Sequence, residues 1–416
     1  MNCLLLLVFS CLFTSLDALI DMDVSAKAAI LINAESGQVL YEKNPDLLLP
    51  PASTTKVATA AYILHLRGDK LDNLVEAKQD AIGWISEDKK ISSGYSLPAY
   101  WLEPGASHVS IQKGETLTLR ELMYAMMIAS ADDASNVLAQ YIGGTIPTFM
   151  EDLNRYLREI GCESTTFYNP HGLHHPKHLT TARELALLTQ TAMKNPQFCE
   201  IVKMARYDLP KSSYRNETAF LQTNRLMRKG RSEYYPRAIG VKTGYTSKAG
   251  HCLISAAQKD DRVLIAVMLG CPSRKETFEE TKRLFETAFK EKPNTYRLFK
   301  KGVLPLRLIH PRIKKEIKVQ LKNELKVAYY RDSKPSVKCQ VQWKSIELPL
   351  EPGQHIGDLV AINQLNGAVL AEEPVYSVDP SFKSFKEKVR SMPLGGKFVF
   401  GMVVLSFTWL ILRRGQ

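Results

Sequence analysis

The most constraining feature of this chain is an order of patterns: strand-like stretches lie at both ends of a long helical middle. Residues 28 to 41 read as two short strands, Ala28 to Asn33 and Gln38 to Tyr41, joined through Glu35, Ser36 and Gly37, a turn composition suited to a hairpin. Gly250 to Ala257 and Val263 to Leu269 repeat that pattern around Lys259, Asp260 and Asp261. Between them, Leu119, Leu122, Met123, Met126 and Met127 form a stripe at helical spacing, introduced by Thr118 and Glu121 as a capping box. The Met-rich stripe reads as core and not as a cofactor site. A further helical stretch, Glu276 to Phe289, is followed by short alternating runs: Val303 to Ile309, Ile317 to Leu321, Leu325 to Tyr330 and Val337 to Trp343. These predict a small all-β domain.

The charge is uneven. Of a net +12 over 416 residues, nearly all falls on residues 294 to 416, which hold 21 Lys and Arg against 10 Asp and Glu. A basic surface can serve nucleic acid, an anionic membrane or an anionic polymer, and the chain ends favour a membrane. Leu4 to Phe13, followed by Thr14, Ser15 and Ala18, has the length and small-residue exit of a secretory signal. Phe398 to Leu412 carries no charge and is closed by Arg413 and Arg414, which the positive-inside rule would keep in the cytoplasm. Upstream, Phe382, Phe385, Val389 and Met392 sit at helical spacing among Lys383, Lys386, Lys388 and Arg390, a basic amphipathic helix suited to a lipid surface. Export removes nucleic acid as a partner. Cys162, Cys199, Cys252, Cys271 and Cys339 would remain after signal removal, with no framework spacing and no predicted bridge.

Three short motifs carry the chemistry. Ala52-Ser53-Thr54-Thr55-Lys56 opens an apolar helix, so Ser53 and Lys56 share a face one turn apart. A serine attacks poorly until a base takes its proton, and a lysine made neutral by burial can serve. Alone, Ser-x-x-Lys means little. Its weight comes from Ser130-Ala131-Asp132 at the end of the Met-rich helix and Lys242-Thr243-Gly244 in an apolar strand. The plainer reading of Lys242 is a solvent-facing lysine on an edge strand. Gly240 and Gly244 flank the strand where a ligand backbone could approach closely.

With these residues in order, the chain resembles the serine penicillin-recognising fold, and within it the low-molecular-mass penicillin-binding proteins that are D-alanyl-D-alanine carboxypeptidases. Similar family features are Ala29-Ile30-Leu31-Ile32, Asn169-Pro170-His171-Gly172-Leu173, Thr180-Thr181-Ala182-Arg183-Glu184-Leu185 and Gly240 to Thr246. The resemblance implies an α+β, β-lactamase/transpeptidase-like domain: an antiparallel sheet plus a helical subdomain, over residues 24–290. A signal peptide (1–18) would precede it, and a small β domain (294–378) and a membrane anchor (381–414) would follow. It further implies Ser53 as nucleophile, Lys56 as its base, and Ser130 as relay to the departing D-alanine. Lys242 and Thr243 would hold the terminal carboxylate, Asp132 would line the substrate site, and the backbone N–H groups of Ser53 and Tyr245 would form the oxyanion hole. The expected partners are peptidoglycan stem peptides, β-lactam antibiotics and, through the tail, cytoplasmic-membrane lipids. The expected location is the periplasmic face of the bacterial inner membrane.

One departure stands out. The family usually shows Ser-x-Asn, and an ionised Asp132 cannot donate the hydrogen bond an asparagine amide gives. Near Lys56 it would also favour the protonated lysine, so we expect either an acceptor-only role or acylation that rises towards alkaline pH. His171, His174, His175 and His178 invite a zinc hypothesis, but no acidic general base sits among them and His171 belongs to the Asn-Pro-x-Gly-Leu loop, so neither metal nor cofactor is expected. Two rivals remain. A class A-like β-lactamase needs a Glu-x-x-Leu-Asn loop, where this chain has Glu163-Ser164-Thr165-Thr166-Phe167. A membrane-tethered peptidoglycan-binding or scaffold protein with a weakened active site is the other.

Overall fold

The computed structural model describes residues 20–304, 308–309, 316–344, 350–364, 367–378 and 407–408. Among them, residues up to Glu291 form one compact unit and those from Lys292 a second.

The first unit is built on a five-stranded antiparallel sheet. Its strands are β1 (Ala28–Asn33), β2 (Val39–Lys43), β3 (Ala238–Thr246), β4 (Gly250–Lys259) and β5 (Arg262–Cys271), in the order β2-β1-β5-β4-β3. Both hairpins read from the sequence are present, and β1 joins them by pairing with β5 from Ala28 opposite Leu269 to Asn33 opposite Leu264. Both faces of this sheet are covered, which explains the near-continuous apolar text of its strands. Ile30 and Ile32 of β1 enter one core, while Ala29 and Leu31 enter another, the period-2 alternation of a strand.

The first core is shared with the helices α1 (Lys56–Arg67), α3 (Leu119–Ile128), α4 (Asp132–Gly143), α5 (Ile146–Glu159), α6 (Ala182–Met193) and α7 (Pro196–Lys203), while the short α2 (Glu87–Ser92) lies outside it. Leu119, Leu122, Met123, Met126 and Met127 are all buried in it. The Thr118 and Glu121 capping box starts α3 as expected. The second core lies under α8 (Arg274–Phe289), whose Phe278, Leu284 and Phe285 pack on Leu253, Leu264 and Met268. This arrangement of helices against an antiparallel sheet is the α+β architecture the resemblance implied.

The second unit is β among its described residues apart from one 3-10 turn, Arg331–Ser333. Its main sheet runs Gly302–Val303, Val319–Leu321, Val369–Ser377, His355–Asn363, Val337–Trp343. Val337, Cys339, Val341 and Trp343 face its core while Lys338, Gln340 and Gln342 alternate outward. The signal (1–18) lies outside the described residues. Of the tail (381–414) only Phe407–Thr408 is described, as a two-residue strand beside Lys338 and Cys339 where a helix was expected. Among the described residues no helix is long and apolar enough to cross a membrane. Cys162, Cys199, Cys252, Cys271 and Cys339 are all free thiols.

Candidate active site

Ser53 lies in a 3-10 turn, Ala52–Thr55, that runs directly into α1 at Lys56. The turn is tied by its own hydroxyls: Thr54 Oγ1 donates to Pro51 O at 2.7 Å and Thr55 Oγ1 to Ala52 O at 2.9 Å. Ala52 sits at φ +50°, a conformation that a residue with a Cβ adopts only under constraint. Two close approaches supply that constraint. Gly172, at φ +98°, lies so near that an added Cβ would stand 1.9 Å from Ala52 O. A Cβ on Gly244 would stand 2.8 Å from Ser53 N. A ligand backbone is expected beside Gly240 and Gly244, and the structure puts parts of the protein itself there. Gly244 makes room for the protein's own nucleophile turn, and a Cβ on Gly240 would meet Val202.

Lys56 is fully buried while Ser53 is only half-buried, so the hydroxyl is reachable and its amine neighbour is not. Lys56 Nζ donates to Ser53 Oγ at 2.9 Å, to Asp132 Oδ1 at 2.5 Å and to the His171 carbonyl at 2.8 Å. Burial lowers the proton affinity of Lys56, and the Asp132 carboxylate opposes that effect. Burial likewise raises the pKa of Asp132, against the pull of Lys56.

Ser130 occupies the break between α3 and α4 at φ +65°. Its Oγ accepts from Lys242 Nζ at 2.8 Å. Lys242 also donates to Thr243 O at 2.9 Å and is fully buried. Strand β3 is indeed an edge strand, but Lys242 points into the protein, so the solvent-facing reading fails. Burial, and next the positive charge of Lys56, hold the Lys242 ammonium well below its ordinary pKa. Tyr245 is 56% exposed, with its ring stacked on His251 at 4.5 Å.

The structure thus brings Ser53, Lys56, Ser130, Asp132, Lys242 and Thr243 together from α1, the α3–α4 break and β3. It also adds partners that no local pattern singles out. Thr243 Oγ1 donates to Thr223 Oγ1 at 2.8 Å. Asn224 Nδ2 holds Gly240 O at 2.7 Å, and Asp133 accepts the backbone N–H groups of Val109 and Ile111.

The four histidines are held by separate partners except that His174 and His175 both meet the Tyr95 ring edge-on. His171 Nε2 meets Tyr100 O at 3.0 Å, His178 Nε2 meets Thr55 Oγ1 at 2.9 Å, and His175 stacks on Tyr168 at 4.1 Å. Burial pushes His178 down to about 3 and His171 well below its usual value, so both rings are neutral at ordinary pH. Among the described residues no group of His, Cys, Asp and Glu is arranged to hold a metal.

The family model for D-alanyl-D-alanine carboxypeptidases of the S11 peptidase class matches residues 15–273, a span that contains every one of these groups. This chain belongs to that family. Among its relatives are the D-alanyl-D-alanine carboxypeptidase DacF of Bacillus subtilis, 29% identical over 84% of each chain, and DacC of Escherichia coli, 28% identical over 85% of this chain and 83% of that one. The fold is shared with the carboxypeptidase DacD of Francisella tularensis, at a TM-score of 0.56 and 23% identity over 88% of this chain and 97% of that one. It is also shared with a Streptomyces DD-transpeptidase, at a TM-score of 0.56 and 24% identity over 65% of this chain and all of that one.

Proposed function

We propose that this chain is a serine D-Ala-D-Ala carboxypeptidase that removes the terminal D-alanine from peptidoglycan stem pentapeptides through an acyl-enzyme on Ser53. The observation that carries the reading is the pair of lysine–serine contacts at one site, Lys56 to Ser53 at 2.9 Å and Lys242 to Ser130 at 2.8 Å. Ser53 Oγ attacks the carbonyl of the penultimate D-alanine, and its proton passes to neutral Lys56. The backbone N–H groups of Ser53 and Tyr245 stabilise the oxyanion. The C–N bond breaks as Ser130 delivers a proton to the leaving amine. Lys242 and Thr243 hold the free carboxylate by charge-assisted hydrogen bonds. Water then releases the acyl group. A β-lactam carries a carboxylate beside a reactive amide and enters the same path, but no Glu matches the β-lactamase loop, and Glu163 is exposed on the surface.

The test is mass spectrometry of the protein after penicillin exposure, with assay of D-alanine release from a pentapeptide. We expect one long-lived adduct on Ser53, lost in Ser53→Ala, together with D-alanine release. An adduct elsewhere, rapid penicillin turnover, or no released D-alanine counts against the reading.

The chain ends support export and tethering to the outer face of the cytoplasmic membrane, with the basic tail favouring anionic lipid. Deleting residues 381–416 should move active protein from the membrane fraction to the soluble one. Its persistence in the membrane fraction would remove the tail from this role.

A further inference from the structure

A lysine nitrogen is tetrahedral, and at Lys56 all four directions are in use: its own Cε, Ser53 Oγ, Asp132 Oδ1 and the His171 carbonyl. A carbonyl only accepts, so one N–H belongs to His171. An ionised carboxylate also only accepts, so a second N–H belongs to Asp132. When Lys56 is an ammonium the third N–H points at Ser53, and there is no lone pair to receive the serine proton. Moving one proton from Lys56 to Asp132 does not help. The carboxyl O–H then donates into the single lone pair of the amine, which again is turned away from Ser53. Only one form works: neutral Lys56 beside ionised Asp132, with two N–H groups on Asp132 and His171 and the lone pair on Ser53. That form holds one proton fewer than the resting pair.

We propose that Asp132 is a positioning residue that acts through Lys56 to lock the general base, so that acylation requires the buried Lys56–Asp132 pair to lose one proton. This inference rests on Ser53 and Lys56 being nucleophile and base. The carboxylate has a second effect of opposite sign. When Lys56 takes the serine proton, Asp132 stands 2.5 Å from the new ammonium and stabilises it, which makes Lys56 the stronger base once unlocked. An asparagine at position 132 would do neither.

The surrounding charges leave this pair as the group whose proton is in play. From α4, Asp133 is occupied by the amides of Val109, Ile111 and Ala134. From β3, Lys242 is occupied by Ser130 and Thr243 O. From the segment after α5, His171 and His178 are neutral. From α2, Lys90 is paired with Glu103 at 2.6 Å.

The test is the rate of acylation by a fluorescent penicillin, followed by stopped flow across roughly pH 5 to 10, in the wild type and in Asp132→Asn. We expect the wild-type rate to rise with a slope of one in log rate against pH. We expect the rise in Asp132→Asn to lie lower by about one to three pH units. The two curves should therefore cross, with the variant faster in acid and no faster in alkali. Mere structural damage lowers a rate at every pH and gives no crossing. Coincident rises, or a variant slower throughout, overturn the inference. The wild-type curve tests it without any variant: a rate flat down to about pH 5 overturns it as well. Lys56→Met separates the base from the lock. If it acylates at the wild-type rate, the reading of the base fails. If it loses acylation while the Asp132→Asn rise is unmoved, only the lock fails.

Discussion

The two sides of the site make a controlled contrast. Lys56 and Lys242 are both fully buried, and each donates to one serine. Each also donates to one backbone carbonyl, so they differ in a single partner: Lys56 adds a carboxylate at 2.5 Å, whereas among the described residues Lys242 is paired with none. Burying an ammonium without an anion is costly unless something later supplies one. The α1 side therefore carries its counter-charge within the fold, while under the proposed function the β3 side would be completed by the carboxylate of an arriving peptide, the substrate supplying the missing half of an ion pair.

The largest expected effect breaks the contrast from the α1 side. Lys56→Met should reduce penicillin acylation by about 10²–10⁴-fold. It should also destabilise the protein by about 3–5 kcal/mol at neutral pH, because it leaves Asp132 buried and unpaired. Stopped-flow acylation and denaturant unfolding measure the two.

Lys242→Met should behave differently. Selectivity for a peptide with a free terminal carboxylate over its amide should fall about 10–100-fold, while stability is unchanged or improved. The second outcome also has a pH signature. Burial lowers the proton affinity of Lys242, so between its folded and unfolded titrations the unfolded chain binds more protons and stability rises with pH. The melting temperature of the wild type should therefore gain on that of Lys242→Met as pH is raised towards about 10. A constant difference between the two would remove the contrast.

The smallest effect sharpens the β3 side. Thr223→Val deletes the hydroxyl paired with Thr243, which must turn round and donate to Thr243 Oγ1 before the single Thr243 O–H can reach a carboxylate, and should cost about 1 kcal/mol of carboxylate recognition. It should appear as a KM raised about fivefold with kcat nearly unchanged. A fall in kcat alone would place Thr223 in the chemistry instead.

Much of this was legible in the sequence because it is written at short range. Ser53 and Lys56 meet through helix spacing, α3 is marked by its stripe and capping box, and the two hairpins by their turns. The joining of those hairpins through β1 and β5 has no local signature. Thr223, Asn224 and the Lys90–Glu103 pair were missed for a similar reason: each is an ordinary polar residue whose importance arises only when a distant strand or loop arrives. Strands His355–Asn363 and Val369–Ser377 were not named, since Gly357 interrupts the first and Glu372, Glu373 and Pro374 break the apolar alternation of the second. Gly244 shows a subtler failure. Its sequence correctly demanded a close approach and could not say whose backbone approached.

The contact between Gly172 and the Ala52 carbonyl bears on how such an enzyme can escape an antibiotic. With room for not even one added carbon, the floor beneath the nucleophile cannot be reshaped a methyl group at a time. Escape must then be sought at the exposed edge of the site, where Tyr245 already stands in solvent.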